Sequence, residues 1–151
     1  MNSKKEPEII EGGLSVDDRG QIIFANDFNF NNIKRFYLVE NFSTDTVRAF
    51  HGHQKEEKYV LVISGSVIVA LVEMDDIKNP NKNNKVSKFI LSARKPVILH
   101  IPAGYANGFK SLEPETKIMF LSTATLEESK NDDYRFPVDY WGEGVWKIEN
   151  R

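Results

Sequence analysis

The chain has 151 residues, of which 40% are hydrophobic and 28% are charged, and its formal net charge is -2. This predicts one compact domain with its own core, and the slightly acidic balance argues against nucleic acid as a partner. The absence of cysteine excludes disulfide bonds, a thiol nucleophile and thiolate-bound zinc, and suits a cytoplasmic protein. The longest apolar run, Val67 to Val72, is too short to cross a membrane.

The first twelve residues are rich in charge and lead into Gly12-Gly13. They contain no apolar stretch of the kind that a secretion signal requires. This composition predicts a flexible arm, or one that pairs with the edge of a sheet. We therefore expect an N-terminal arm over residues 1–12 and a single domain over residues 13–151.

Short segments rich in β-branched and aromatic residues follow in chain order. They are Gln21 to Phe24, Lys34 to Glu40, Val47 to His53, Tyr59 to Ile63, Val67 to Val72, Val86 to Leu91, Val97 to Ile101 and Lys117 to Ser122. No segment has a sustained helical period, so the pattern predicts an all-β sandwich or jelly roll. The Ser64-Gly65-Ser66 segment predicts a hairpin turn with positive φ at the glycine.

The tail from Asp132 to Arg151 carries both tryptophans and two tyrosines. This is too much aromatic surface to leave in water. We expect the tail to fold back over the mouth of a barrel or onto a second subunit.

His51 and His53 lie two residues apart on a predicted strand, so both imidazoles are expected on one face, where they could bind a metal. The stretch resembles the first motif of the cupin superfamily, in which a ligand Glu and then a Gly follow the histidine pair. Counting back from Gly65 places Lys58 at the Glu position, and an ammonium cannot ligate a cation. The second cupin motif, Pro-x-Gly-x-x-His, is similar to Pro102 to Asn107, where an amide replaces the histidine.

Two of the four expected ligands are thus replaced while the turn residues remain. The resemblance therefore implies a cupin-type jelly roll, or double-stranded β-helix, with no metal and no other cofactor. Glu56 or Glu57 could still complete a metal site. Taken alone, a His-x-His pair is also well explained as an ordinary pair on a strand.

The same residues resemble the dTDP-4-dehydrorhamnose 3,5-epimerase family. Arg48-Ala-Phe-His51 is similar to the family's Arg-Gly-x-His. The stretch IPAGYANGF, residues 101–109, departs from the family's Ile-Pro-x-Gly-Phe-Ala-His-Gly-Phe only at Tyr105 and Asn107. Weaker similarity extends from Asp18-Arg19-Gly20 to the stretch RFPVD at 135–139. The resemblance implies a homodimeric, metal-free jelly roll that binds a nucleotide-linked 4-keto sugar.

Epimerisation next to a ketone needs a base, a cation near the developing enolate oxygen and an acid on the opposite face. The resemblance makes His51 the base, Lys58 the cation and Asp139 the carboxylate that orients the base. Lys58 has the opposite strand parity to His51, so its role requires a bulge or turn between them. Lys58 and Asp139 are about equally well explained as surface residues.

A nucleotide diphosphate requires cations. Arg48 is the best candidate because it lies three residues before His51, and Arg19, Lys34 and Arg35 are others; His53 and Asn107 are further expected substrate contacts.

The family's acid, a tyrosine on the strand after the Gly-Phe motif, is missing, and Phe120 or a neighbour takes its place. Tyr134 or water could supply the proton, or only one centre is inverted.

Two alternative functions remain open. The stretch NIKRFYLV at 32–39 and the pair His51-Gly-His53 resemble nucleotide-sugar 3,4-ketoisomerases, in which a histidine pair moves a proton between neighbouring carbons. The other alternative is a non-catalytic cupin that binds a sugar nucleotide. The favoured expectation is a 4-keto-sugar epimerase acting at C3, C5 or both in the synthesis of deoxysugars for surface polysaccharides.

Overall fold

The structure is a computed structural model, which describes residues 5–151. Its strands are β1 Glu8–Glu11, β2 Gly13–Asp17, β3 Gly20–Phe24, β4 Arg35–Glu40, β5 Val47–Gly52, β6 Lys58–Ser64, β7 Ser66–Glu73, β8 Val86–Ser92, β9 Val97–Ile101, β10 Tyr105–Ser111, β11 Lys117–Ser122 and β12 Tyr134–Arg135. A short helix, α1, spans Leu126–Lys130, and a 3-10 turn spans Glu143–Trp146. No helix in this part of the chain is long and apolar enough to cross a membrane.

The strands form two five-stranded antiparallel sheets and a separate hairpin. The first sheet has the order β1-β9-β6-β11-β4, the second has the order β12-β5-β10-β7-β8, and β2 pairs with β3 in the hairpin. The strands of both sheets contribute to one shared hydrophobic core. The predicted all-β jelly roll is confirmed.

Strand β7 is buried on both faces, which explains its unbroken apolar run. Val67, Val69 and Leu71 point into the core between the two sheets. Ile68 and Ala70 point to the outer side, where the C-terminal tail covers them. Because side chains alternate along a strand, a strand covered on both sides must be apolar at every position.

The C-terminal tail packs on the outer face of the second sheet of its own chain, so its predicted place over the barrel mouth is wrong. The ring centroids of Trp141 and Trp146 lie 4.8 and 5.6 Å from that of Phe50 on β5. Trp141 Nε1 also donates a hydrogen bond to the Asn81 carbonyl at 3.1 Å. The outer face of this sheet offers the apolar side chains of Phe50, Ile68, Ala70 and Val72, which pack with residues of the tail.

The predicted hairpin at Ser64-Gly65-Ser66 is also wrong. Gly65 does have positive φ, at 80°, but β6 and β7 belong to different sheets. The turn therefore carries the chain from one sheet to the other. A Cβ at Gly65 would clash with Thr116, so the crossing needs glycine for space as well as for its dihedral angles.

The predicted N-terminal arm covers residues 1–12, of which residues 1–4 lie outside the described part. Glu8 to Glu11 form β1, which pairs antiparallel with β9 in the register Glu8 to His100 and Glu11 to Val97. This pairing covers one edge of the first sheet.

Candidate active site

A β-bulge on β5 sets the direction of two candidate residues. Arg48 pairs with Phe109 of β10, and His51 pairs with Asn107. Two residues of β5 between these pairs therefore oppose a single residue of β10. In a regular strand, residues three apart point to opposite faces. The bulge instead lets Arg48 and His51 line the same cavity between the sheets.

The cavity has a volume of about 390 Å³. The second sheet contributes Val47, Arg48, Ala49, His51, Asn107 and Phe109, and the first sheet contributes Tyr37, Val39, Lys58 and Phe120. Each sheet thus forms one wall. A ring held between the walls would have His51 on one face and the groups of the first sheet on the other.

His51 is half-buried and faces a carboxylate. Its Nδ1 lies 3.7 Å from Oδ1 of Asp133, and Oδ2 of Asp133 accepts a hydrogen bond from Arg135 Nε at 2.9 Å. Burial lowers the pKa of His51, and the charges of Arg135 and Lys58 lower it further, while Asp133 opposes them. His51 is therefore neutral near physiological pH and able to accept a proton.

Lys58 and His51 line the same cavity although they lie on different sheets. The turn between β5 and β6 removes the parity conflict between these residues. The Lys58 side chain is only 10% exposed. Its Nζ lies 5.8 Å from the ring centroid of Tyr37 and 5.9 Å from that of Phe120. An ammonium in this position faces the cavity opposite the His51 imidazole.

Tyr37 supplies a phenol that the sequence analysis did not identify as a site residue. It lies on β4 directly opposite Phe120 of β11, and the two rings stack with centroids 5.0 Å apart. The family pattern predicts a tyrosine on β11, but the residue of β11 that lines the cavity is Phe120. Its cross-strand neighbour, Tyr37, carries a hydroxyl instead. The signal was present in the alternation of β4, which turns Arg35, Tyr37 and Val39 inward.

Arg48 and Asn107 both line the cavity. Arg48 Nε donates a hydrogen bond to Oδ1 of Asn41 at 2.7 Å, and Arg48 is otherwise exposed. The hydrogen bond to Asn41 anchors the Arg48 side chain and leaves its two terminal NH2 groups as donors for a ligand. Asn107 is buried and donates to the His51 carbonyl at 3.1 Å, which ties β10 to the backbone beside the imidazole.

His53 does not line the cavity with His51. The His53 side chain is buried, and its Nδ1 donates to the Asp132 carbonyl at 2.5 Å. Its Nε2 lies 3.4 Å from Oε2 of the buried Glu56. Burial lowers the pKa of His53, and Lys58 lowers it further, against the effect of Glu56. Strand β5 ends at Gly52, so the strand alternation that placed both imidazoles on one face does not extend to His53.

The other predicted site residues do not line the cavity, although the Arg35 guanidinium lies 5.0 Å from the ring centroid of Tyr37. Arg35 lies 3.6 Å from Glu56 and bonds the Ala124 carbonyl, and Lys34 forms an ion pair with Glu128. Arg19 is exposed at the β2–β3 turn and pairs with Asp17. Asp139 lies on an exposed turn, where its carbonyl accepts from Gly142. The assignment of Asp139 is therefore corrected, because the carboxylate beside His51 belongs to Asp133.

The two glutamates that might have completed a metal site point to opposite sides of the first sheet. Glu56 faces Lys58 and His53, whereas Glu57 bonds Nε2 of His100 at 2.8 Å. Within residues 5–151, no group of three or more histidine, aspartate or glutamate side chains is arranged to hold a metal ion.

Comparisons with known proteins identify the family and the fold. The profile of the dTDP-4-dehydrorhamnose 3,5-epimerase family matches residues 8–138. A search of curated proteins found no match. Among solved structures, the dTDP-4-dehydrorhamnose 3,5-epimerase from Bacillus anthracis, with TDP and PPi bound, has a TM-score of 0.74 and 20% identity, over 89% of this chain and 80% of that one.

Two further solved structures represent both enzyme types. The epimerase from Mycobacterium tuberculosis has a TM-score of 0.71 and 19% identity, over 91% of this chain and 74% of that one. A 3,4-ketoisomerase from Helicobacter canadensis has a TM-score of 0.68 and 20% identity, over 91% of this chain and 96% of that one. The fold is therefore common to the epimerases and the ketoisomerases.

The family match covers most of the chain, and it includes the strands that carry His51, Lys58 and Tyr37. The resemblance stated from the motifs is confirmed, as is the expected class of activity, isomerisation of a nucleotide-linked sugar. The chain belongs to the dTDP-4-dehydrorhamnose 3,5-epimerase family.

Proposed function

We propose that the chain epimerises a nucleotide-linked 4-keto sugar at a carbon next to the ketone. The observation that carries this proposal is the opposition of His51, backed by Asp133, to Lys58 and Tyr37 across one cavity. Removal and return of a proton on opposite faces of a sugar ring requires this arrangement.

The reaction follows from these positions. Neutral His51 takes the proton from the carbon beside the ketone, and the C–H electron pair moves into the carbonyl to give an enolate. The Lys58 ammonium stabilises the negative oxygen, since a nearby cation lowers the energy of such an intermediate. Tyr37 then donates its phenolic proton to the carbon from the opposite face, which inverts the centre. Solvent returns a proton to Tyr37 and removes one from His51.

The substrate is proposed to be a thymidine diphosphate sugar. The cavity presents the anchored Arg48 guanidinium, a group that bonds phosphate oxygens well. The B. anthracis structure holds TDP, which supports the same nucleotide here. Such an activity would supply a deoxysugar for a surface polysaccharide such as lipopolysaccharide.

We also propose a homodimer. The β2–β3 hairpin exposes Val16 (68%) and Ile22 (64%), and the outer face of edge strand β4 exposes Phe36 (63%) and Leu38 (56%). Two exposed apolar surfaces of this kind favour docking of the hairpin of one copy on a second copy. Arg19, at the hairpin turn, would then reach phosphate in the cavity of the partner. Light scattering should give twice the chain mass, and Ile22→Asp should give the monomer.

A 3,4-ketoisomerase is the second candidate. Two observations favour it. The alignment covers 96% of the H. canadensis ketoisomerase, and Phe120 stands where the epimerase pattern has a tyrosine. The position of His53, which is buried and does not line the cavity, disfavours it, because a mechanism that uses two imidazoles needs both at the substrate.

The two candidates are separated by incubating the protein with TDP-linked 4-keto sugars in deuterated water. An epimerase incorporates deuterium at C5, or at C3 with inversion and retention of the 4-ketone. A ketoisomerase moves the carbonyl to C3, which NMR of the product detects. If no 4-keto sugar exchanges a proton but TDP binds, the chain is a non-catalytic binder and the proposal is wrong.

A further inference from the structure

Glu56 is a buried carboxylate that the proposed reaction does not use. Its side chain has no exposed surface, and neither carboxylate oxygen has a hydrogen-bond partner among residues 5–151. Three basic groups surround it just beyond hydrogen-bond distance: Lys58 Nζ at 3.7 Å, His53 Nε2 at 3.4 Å and Arg35 at 3.6 Å. Burial of a carboxylate without hydrogen bonds destabilises the folded protein, so packing alone does not explain a glutamate at this position.

Of the three basic groups around Glu56, Lys58 is the one that lines the cavity. The Lys58 side chain is 10% exposed, and the Tyr37 and Phe120 rings flank its Nζ. The other ionisable groups around it are His51, His53, Arg35 and, in the cavity wall, Arg48. Among the described ion pairs, Glu56 is the one carboxylate within 4.0 Å of Lys58. A buried ammonium with no counter-ion tends to lose its proton.

We propose that Glu56 is a positioning residue that keeps Lys58 charged and directed at the enolate oxygen, with His53 and Arg35 holding Glu56 in place. This inference rests on the proposed function, since it gives Lys58 the role of enolate cation. It also gives the buried His53 a role in supporting Glu56 instead of contacting the substrate.

The direct test is Glu56→Gln, which keeps the shape of the side chain and removes its charge. Without the negative charge of Glu56, we expect Lys58 to lose its proton at lower pH than in the wild type. The neutral amine would then no longer stabilise the enolate. We expect kcat to fall by about ten- to one-hundred-fold at pH 8, with KM little changed. The loss should shrink as the pH falls toward 6, because the ammonium form is restored.

Glu57→Gln is the matched control. It removes the same charge one residue away, where the carboxylate contacts His100 on the other side of the sheet. This variant should retain the wild-type kcat and pH profile. A fall in kcat that is equal at every pH in Glu56→Gln, or equal in both variants, would assign Glu56 a structural role only and overturn the inference.

A double substitution tests whether Glu56 acts through Lys58. In the Lys58→Met background, Glu56→Gln should cause no further loss of kcat, because the group it supports is gone. Additive losses in the two variants would contradict the proposal.

The effect of Glu56 on Lys58 can also be measured without any assay of activity. Lysine side-chain NMR follows the titration of Lys58, whose signal is identified by its absence in Lys58→Met. In Glu56→Gln the midpoint should lie at lower pH than in the wild type, and an unchanged midpoint would overturn the inference. If the wild type acts on no 4-keto sugar, the proposed function fails, and this titration still decides the role of Glu56.

Discussion

The Nδ1 atom of His51 lies 3.7 Å from Oδ1 of Asp133, and the half-buried His51 side chain lines the cavity. A carboxylate on one ring nitrogen favours the tautomer with its proton on that nitrogen, so the other nitrogen carries the lone pair. Asp133 is held in turn by Arg135 at 2.9 Å. The short strand β12, which pairs with β5, therefore places Asp133 beside the imidazole of His51.

Replacement of Asp133 tests the orientation of the base. Asp133→Asn should lower kcat by about one to two orders of magnitude, because the amide no longer fixes the tautomer of His51. Asp139→Asn should have an activity close to that of the wild type, since Asp139 lies on an exposed turn. Steady-state kinetics on the two purified variants makes the comparison. The reverse order of effects would restore the assignment made from the family pattern.

The pH dependence should report the lowered pKa of His51. The base works only when neutral, so kcat/KM should fall as the pH drops through the pKa of His51, which burial and the Arg135 and Lys58 charges hold below its ordinary value. Arg135→Gln removes one of these charges, so the pKa rises and the acidic limb moves to higher pH. The shift should shrink in high salt, because Arg135 is exposed. A limb that moves to lower pH would contradict this electrostatic picture.

Tyr37→Phe separates proton removal from inversion. If Tyr37 is the acid, its loss should leave deuterium exchange by His51 measurable while inverted product falls by about one hundred-fold or more. Tyr134→Phe should not change either rate, since Tyr134 does not line this cavity. The two rates are measured by NMR on the same sample. Full inversion by Tyr37→Phe would assign the acid elsewhere.

Arg48→Ala tests the phosphate contact. A charge-assisted hydrogen bond contributes ~1.5–3 kcal/mol, so its loss should raise KM about ten- to one-hundred-fold with a smaller effect on kcat. Arg94→Ala removes an exposed arginine that pairs with Glu113, and it should leave KM unchanged. An effect of Arg48→Ala on kcat alone would show that this arginine contacts the reacting centre instead of the diphosphate.

The local pattern was sufficient to predict most strands, and the family motifs pointed to Arg48, His51, Asn107 and Lys58, which line the cavity. Runs of β-branched, aromatic and other apolar residues reveal strands such as β4 and β11. Strand β10 was missed, because YANGFKS has little β propensity of its own. It is held in place by pairing with β7 on one side and β5 on the other.

The site was less predictable where it depends on bulges and long-range pairing. The bulge on β5 aligns Arg48 with His51, and no residue type in that stretch announces it. Asp133 reaches His51 only because two residues, Tyr134 and Arg135, pair with β5 from far along the chain. Strand parity alone placed His53 beside His51, but the strand ends one residue before it.

The proton exchange of His51→Asn is the most direct test of the account. The wild type and this variant are incubated with a TDP-linked 4-keto sugar in deuterated water, and TDP binding is measured in parallel. The account predicts that the variant binds TDP like the wild type but exchanges the carbon-bound proton about 10²- to 10⁴-fold more slowly, because an amide cannot take that proton at neutral pH. Exchange at the wild-type rate in His51→Asn, with loss of exchange in His53→Asn, would contradict it.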